Sequence, residues 1–379
     1  MNKVLFDGRF LSLSHAGLGR YSSELLKSLL KLDKKQKYIL TVIPGTSFDK
    51  DLSRALNERD EPVEILEASA RHYSWAEQTG YLSLLNKLKP DLVHFPHFNH
   101  PIFYKGDFVV TIHDLTLSDY HERGGALKRF LYDKMITSAA QKSKKILTVS
   151  DYVKKQLTRK FSLPLKKVVT TYNGIDPKFT EITNPTTLSR ADHYGLKEPY
   201  IVSVGQWRSH KNLLRLLEAF KKVIENTPRY PRLKLAFVGR RESKYPQLQE
   251  KIVELGLGDR IILTGFVKDE DLPVIYNNAI LFVFASLSEG FGLPGLEAQA
   301  CGLPVVSSKK TALPEIYGEG AFYFNPENVT DMAEKMAKVI NDKYLREKLK
   351  KLGLKNSQKY SWDKTAQKTL AVYREILYK

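Results

Sequence analysis

The chain has 379 residues, 42% of them hydrophobic and 27% charged, a length that suits about two domains and a composition that excludes a disordered or fibrous protein. No apolar run approaches the ~18 residues of a membrane-spanning helix, and the opening MNKVLFDGRF lacks the unbroken apolar stretch of a secretory signal, so a cytoplasmic location is expected. The lone cysteine, Cys301, excludes an internal disulfide or thiolate metal cluster, and the net charge of +18 calls for an anionic partner.

Short β-branched runs alternate with periodic segments from the first residue onward, the pattern of parallel strands crossed over by helices. Strands are expected at Val4 to Phe6, Tyr38 to Val42, Leu92 to Phe95, Phe108 to Ile112, Lys145 to Val149 and Lys167 to Thr171, with helices over Tyr21 to Leu32 and Leu127 to Ala140. Residues 174–199 are polar, contain three prolines and read as a linker. Strands then resume at Tyr200 to Val204, Leu233 to Val238, Ile261 to Leu263, Leu281 to Phe284, Val305 to Val306 and Ala321 to Phe324. The reading is an α/β protein of two doubly wound Rossmann-like domains. The first spans 1–175 and the second 176–361, and the amphipathic segment 362–379, with Ser361 or Asp363 to cap it, packs on the second domain or back on the first.

The segments that carry chemistry follow the same order. Gly17-Leu18-Gly19 opens the first helix, and as a dinucleotide fingerprint it fails, because Ser22 stands where the third glycine belongs. His94, His97 and His100 recur every three residues in VHFPHFNH, but in a proline-containing loop with no nearby carboxylate, so no zinc site is expected. His113 and Asp114 stand at the carboxyl end of an apolar strand, where a histidine can bond a sugar hydroxyl. Residues 123–178 hold fourteen Lys or Arg against Asp133, Asp151 and Asp176, while 51–100 is net acidic, so the positive charge is a local patch. The segment ALKRFLYDKMITSAAQKSKK within it could lie apolar side down on anionic lipid, or be a solvated basic face.

In the second half, VSVGQWRSHKNLLRLLEAF sets Arg208, His210 and Lys211 on a loop between strand and helix, where cations can meet a diphosphate and stabilise charge on a leaving nucleotide. Asp269-Glu270-Asp271 precedes a helix and is expected to cap it rather than hold a metal. Cys301 ends an apolar helix before a Gly-Leu-Pro turn and is expected to be a small buried filler. The most informative stretch is SLSEGFGLPGLEAQACGLPVV. Glu289 lies on a glycine loop ahead of a helix that Pro294 helps to start, and Glu297 follows eight residues later. Either glutamate alone reads as a cap or a solvated residue. Together they can accept hydrogen bonds from two polyols on either side of a diphosphate held at the helix start.

This last segment resembles the Glu-x7-Glu signature of the retaining GT-B glycosyltransferases of group 1, or family four, and the similarity extends over essentially the whole chain. The resemblance implies that Glu289 contacts donor-sugar hydroxyls, that Glu297 holds the nucleotide ribose, and that Phe291 and Gly292 offer backbone N–H groups. It implies that Phe266 and Val267 flank the base, that His113 approaches the hydroxymethyl region of the donor sugar, and that Lys211 and Arg208 hold the diphosphate. Arg208 does not occupy the family's usual arginine position, where Gln206 or His210 stands. Gly17 and Gly19 match the family's N-terminal donor loop, although Ala16 replaces one of two adjacent glycines. Asn173 and Asp176 match the hinge.

The implied reaction moves a hexose from a nucleoside diphosphate sugar to a glycan or lipid-linked acceptor by front-face attack in a cleft between the domains, with no metal or cofactor. GDP-mannose is the first expectation for the donor, because GLGRY and HKNL resemble subgroups that include mannosyltransferases; a UDP-sugar is the alternative. A phosphorylase would need a pyridoxal-phosphate lysine that does not stand out, and an epimerase remains a rival on the same architecture. No nucleic-acid module is recognisable, so nucleic acid is not an expected partner.

Overall fold

A computed structural model describes residues 1–11, 16–115, 126–239 and 246–378, with residues 16 and 126–129 as backbone only. The chain forms two compact units, one made of Met1–Gly174 with Ser361–Lys379 and the other of Ile175–Tyr360.

In the first unit the strands are β1 (Lys3–Asp7), β2 (Lys37–Val42), β3 (Glu64–Glu67), β4 (Leu92–Phe95), β5 (Phe108–Ile112), β6 (Lys145–Thr148) and β7 (Val168–Thr170), all parallel and ordered β3-β2-β1-β4-β5-β6-β7. β4 and β5 are buried along their whole length, as continuous apolar strands are when helices cover both faces of a sheet. The helices α1 (Ala16–Leu32), α2 (Lys50–Asn57), α3 (Leu82–Leu88), α4 (Ala126–Lys142) and α5 (Asp151–Lys160) make the crossovers. Each strand expected from the sequence is present within a residue or two. β3 was not expected: its EILE is an edge strand with both glutamates exposed, so it lacks the apolar run that marked the others.

The second unit contains β8 (Tyr200–Val204), α6 (Leu213–Glu225), β9 (Lys234–Val238), α7 (Gln247–Glu254), β10 (Ile261–Gly265), α8 (Leu272–Asn278), β11 (Leu281–Phe284), α9 (Leu293–Ala300), β12 (Val305–Ser308), α10 (Leu313–Tyr317), β13 (Ala321–Phe324), α11 (Val329–Asn341) and α12 (Lys343–Ser357). Its parallel sheet runs β10-β9-β8-β11-β12-β13. The polar stretch 174–199 is not a loose linker. From Ile175 on it belongs to the second unit, where Asn277 bonds Ile182 N and Thr180 O, and Asn278 donates to Leu188 O.

The last helix, α13 (Trp362–Leu377), is capped by the Ser361 hydroxyl, which accepts from Lys364 N at 3.3 Å. Asp363 instead pairs with Lys31 on α1 at 2.8 Å. α13 sits so close to the end of β7 that a Cβ on Gly174 would lie 2.1 Å from Trp362 N. The buried Tyr373 hydroxyl meets His94 Nδ1 on β4 at 2.5 Å. Among the described residues no helix is long and apolar enough to cross a membrane. On α4, Met135, Ile136, Ala139 and Ala140 are buried in the unit's own core, which leaves Phe130 and Leu131 as its exposed large apolar side chains among those described. This corrects the expectation of an apolar side free to face lipid along the whole segment.

Candidate active site

In a doubly wound sheet the ligand site opens beyond the carboxyl ends of the two strands where the order reverses. In the second unit these strands are β8 and β11. The loops that leave them are 205–212 and 285–292, the two that carry Lys211 and Glu289.

The first loop leaves β8 through Gly205, tightens into a turn at Ser209–Lys211 and enters α6 through Asn212, whose φ is 60°. The Asn212 amide donates to Ala285 O at 3.2 Å and Pro326 O at 2.7 Å, tying this loop to the end of β11. The backbone bond from Leu287 N to His210 O, 2.7 Å, closes the two loops together. The Lys211 ammonium lies 2.5 Å from Glu289 Oε1 and 5.1 Å from the centre of the Phe284 ring. Both partners keep a small accessible fraction, 18% and 14%, so the pair can be reached from solvent while being mostly shielded from water, where charge interactions are strong. Arg208 is half-buried at the start of the same turn, and Lys211 at its end makes the ion pair with Glu289.

Glu289 is fixed from its other side. Its N–H donates to Thr311 Oγ1 at 3.1 Å and its carbonyl accepts from Ala312 N at 3.4 Å. Gly292 then adopts φ 91°, left-handed backbone that favours glycine, and Pro294 falls in the first turn of α9. The glycines at 292 and 295 also make room for a neighbour: a Cβ at either would lie 2.4–2.5 Å from the buried Tyr317 ring or hydroxyl. That hydroxyl donates to Gly292 O at 2.6 Å. Phe291 is buried, with its ring edge on Tyr360 at 5.8 Å. Glu297, inside α9, is only 2% exposed, and its Oε2 accepts from the Tyr276 hydroxyl at 3.1 Å. Residues 289, 291, 292 and 297 therefore form one loop and helix start, with Lys211 joined to them.

Phe266 and Val267 follow β10, at the sheet edge away from the β8 and β11 switch point. Phe266 is exposed and Val267 buried. Asp271 stands at the N-cap of α8, but its side chain does not bond the helix, correcting the capping expectation. It pairs with Arg190 and accepts from the Tyr194 hydroxyl at 2.6 Å. Cys301 is buried at the end of α9, and burial pushes its thiol well up, consistent with a packing residue.

The first unit has its own switch point between β1 and β4. Beyond the neighbouring β5, the His113 Nε2 lies 2.8 Å from Pro96 O. A carbonyl only accepts, so this nitrogen carries the hydrogen and Nδ1 has the lone pair. Burial lowers the pKa of His113, opposed by the Pro96 bond and Asp114, and the neutral ring stands edge-on to Tyr21 at 4.5 Å. The other histidines are separately employed. His94 bridges Tyr373 and Thr111, and His100 bridges Phe98 O and Ser138. Gly17 and Gly19 lie within the first turn of α1 rather than on a loop, and residues 12–15 before it are outside the described set. Asp176 pairs with Lys178 at 2.8 Å, and Asn173 is buried.

Sequence reasoning missed a buried charge cluster beside this switch point. Arg9 forms a two-pronged pair with Asp7 (2.8 and 2.7 Å) and reaches Glu77 Oε1 at 2.7 Å, all three fully buried. Its guanidinium also lies over the Tyr81 ring at 3.8 Å. Asp7 and Arg9 are adjacent enough in DGRF to hint at a pair, but nothing local points to Glu77.

Two parallel Rossmann-like units, with a lysine and two glutamates set around the second unit's switch point, define a glycosyltransferase of the GT-B kind. The model described as "Glycosyl transferases group 1" matches residues 188–356, and that of "Glycosyltransferase Family 4" matches 16–179. The O-antigen chain mannosyltransferase B of Escherichia coli is 30% identical, covering 98% of this chain and 99% of its own. The O-antigen chain mannosyltransferase RfbU of Salmonella typhimurium is 25% identical over 84% and 85% of the two chains. The chain belongs to the group 1, family 4 glycosyltransferases. Among solved structures, the sucrose-phosphate synthase of Thermosynechococcus elongatus superposes with a TM-score of 0.79 at 17% identity over 100% of both chains. Anabaena HepE in complex with UDP and glucose does so with 0.76 at 18% identity over 99% of this chain and 100% of that one.

Proposed function

We propose that this glycosyltransferase transfers mannose from GDP-mannose to a hydroxyl of a growing glycan or lipid-linked glycan, keeping the donor's anomeric configuration and using no metal. The observation that carries the reading is the Lys211–Glu289 pair at 2.5 Å, beside the helix start that carries Glu297. In one step the acceptor oxygen bonds to the anomeric carbon as the bond to the diphosphate breaks on the same face. The acceptor's proton passes to the departing phosphate oxygen. Lys211 and Arg208 offset the charge that grows there, Glu289 orients the sugar through its hydroxyls, and Glu297 holds the ribose. Neutral His113 offers Nδ1 to a sugar hydroxyl. Mannose as the sugar rests on the named activities of the two O-antigen relatives. The basic segment with Phe130 and Leu131 supports contact with an anionic membrane carrying the acceptor.

Nucleotide release from a panel of activated sugars tests the assignment, with EDTA present throughout. GDP-mannose should be consumed, and Glu289→Ala or Lys211→Ala should lower its turnover by about 10²–10³-fold, the scale of losing one transition-state charge contact. Consumption of a UDP-sugar instead would replace the donor. Indifference of every activated sugar to both substitutions would end the reading.

A further inference from the structure

The first unit carries an aromatic surface that the donor chemistry does not use. It lies beyond the carboxyl ends of β1, β3 and β4, on the ligand-bearing side of the sheet. Phe10 follows β1, His72 and Tyr73 follow β3, and His97 follows β4. Phe10 packs on His72 with ring centres 3.5 Å apart and on His97 at 5.3 Å, and Tyr73 approaches His97 at 6.3 Å. Tyr73 itself is 55% exposed, and Trp75 two residues later is 86% exposed.

Three features set this segment apart from an ordinary loop. Tyr73 has φ 62°, a region where a bulky residue is strained and glycine is not. The helix that follows begins with an over-wide π turn, Glu77–Tyr81, a deviation that concentrates at functional sites. The turn also aims Glu77 inward: its Oε2 accepts from Tyr73 N at 3.0 Å, while Oε1 accepts from Arg9 at 2.7 Å and from the buried Asn99 amide at 2.5 Å. The buried ion cluster thus pins a strained, outward-facing tyrosine. Glycine at this position would hold the same turn with less strain; the Tyr73 ring packs one side toward His97 and the buried Phe98, 6.5 Å away, and leaves more than half of the residue exposed.

We infer that Tyr73 and Trp75 form a stacking platform for a neutral hexopyranose of the acceptor glycan, held in place by the Asp7–Arg9–Glu77 cluster. This rests on the glycosyltransferase reading. An aromatic face covers the apolar C–H face of a pyranose, and polar groups at its edge bond the hydroxyls. Asp114, next to His113, is within electrostatic reach of the Tyr73 hydroxyl: desolvation, Glu77 and Asp114 together raise that phenol's pKa. Asp7, Glu77 and Asp114 outnumber Arg9 and the exposed Arg71 by one, so the formal charge of these residues is negative by a single unit. That suits the hydroxyl-rich face of a neutral sugar and repels a uronate or phosphosugar.

Saturation-transfer NMR on the full chain, with methyl α-mannopyranoside and the corresponding methyl glucuronide as probes, tests the platform. The mannoside should receive saturation and the glucuronide should not. Tyr73→Gly should abolish transfer and raise the KM for acceptor about tenfold or more without lowering the melting temperature, whereas Tyr73→Phe should retain transfer. Trp75→Ala, at an exposed position, should weaken it. Full transfer in Tyr73→Gly, no transfer in the wild type, or equal transfer to the glucuronide would each overturn the proposal. The shift in melting temperature caused by GDP or UDP reports on the second unit alone. If nucleotide binds while the glycoside result fails, the platform is wrong; if no nucleotide binds, the glycosyltransferase reading itself is at fault.

Discussion

The proposed roles of Lys211 and Glu297 differ, and kinetics can separate them. Lys211 is partly accessible and paired with Glu289, and in the proposed reaction it acts as charge develops. Glu297 is buried against Tyr276, and in the same proposal it holds a ground-state hydroxyl pair. Glu297→Gln keeps the shape and the Tyr276 contact but loses the charge. It should therefore raise the donor KM by about 10–100-fold, the value of hydrogen bonds to a charged group, with kcat little changed. Steady-state donor titration checks this, and a fall in kcat at constant KM would contradict the ribose assignment. His94 and His100 bear on stability instead. Burial depresses their pKa values to about 3 and about 4, below the unfolded value of about 6.5. Their contribution is therefore fully present above about pH 6.5 and is lost as pH falls toward those folded values. Between about pH 6.5 and 4 the two together should cost a few kcal/mol, on the order of 1 kcal/mol per histidine per pH unit. Melting curves across that range should show the slope, and His100→Asn should roughly halve it.

At the level of single elements, the glycine loop before α9 works through a neighbour that the sequence does not reveal. The spacing of Glu289, Gly292, Pro294 and Glu297 marks a strand, loop and helix start because each residue acts locally. Tyr317 lies 22 residues beyond Gly295 and nothing nearby marks it, yet both glycines are shaped around its ring. Gly295→Ala should displace Tyr317 and cost about 1–3 kcal/mol by overpacking, with a parallel loss of turnover because the same ring holds Gly292 O. A melting curve and the nucleotide-release assay would show both. β3 and the π turn at Glu77 escaped the sequence for related reasons. β3 is a polar edge strand without the apolar signal of its neighbours, and an inward glutamate in an acidic stretch looks solvated until its partner, 68 residues away, is known. The capping expectation for Asp271 failed likewise, because Arg190 and Tyr194 come from the polar stretch read as a linker.

For the molecule as a whole, alternating strand and helix signals conveyed two parallel sheets because most interior strands are short, predominantly apolar and β-branched or aromatic runs. What they left open was where α13 docks, since an amphipathic helix fits either unit by pattern alone. Gly174 holds that answer: only the absence of a Cβ lets the chain end of β7 meet Trp362. Gly174→Ala should loosen α13 and lower stability by about 3 kcal/mol or more, as a backbone clash at a buried site does. Calorimetry resolving two transitions should assign the loss to the first unit. Because the first unit borrows its last helix from the far end of the chain, order of synthesis and order of folding diverge. A ribosome that has made residues 1–360 has made everything the second unit needs, while the half made earliest still waits for the partner of His94. That half must stay unaggregated with an open seam until residues 361–379 emerge, so substitutions that slow α13 docking should appear first as poor yield in cells and only later as lost activity in the purified enzyme.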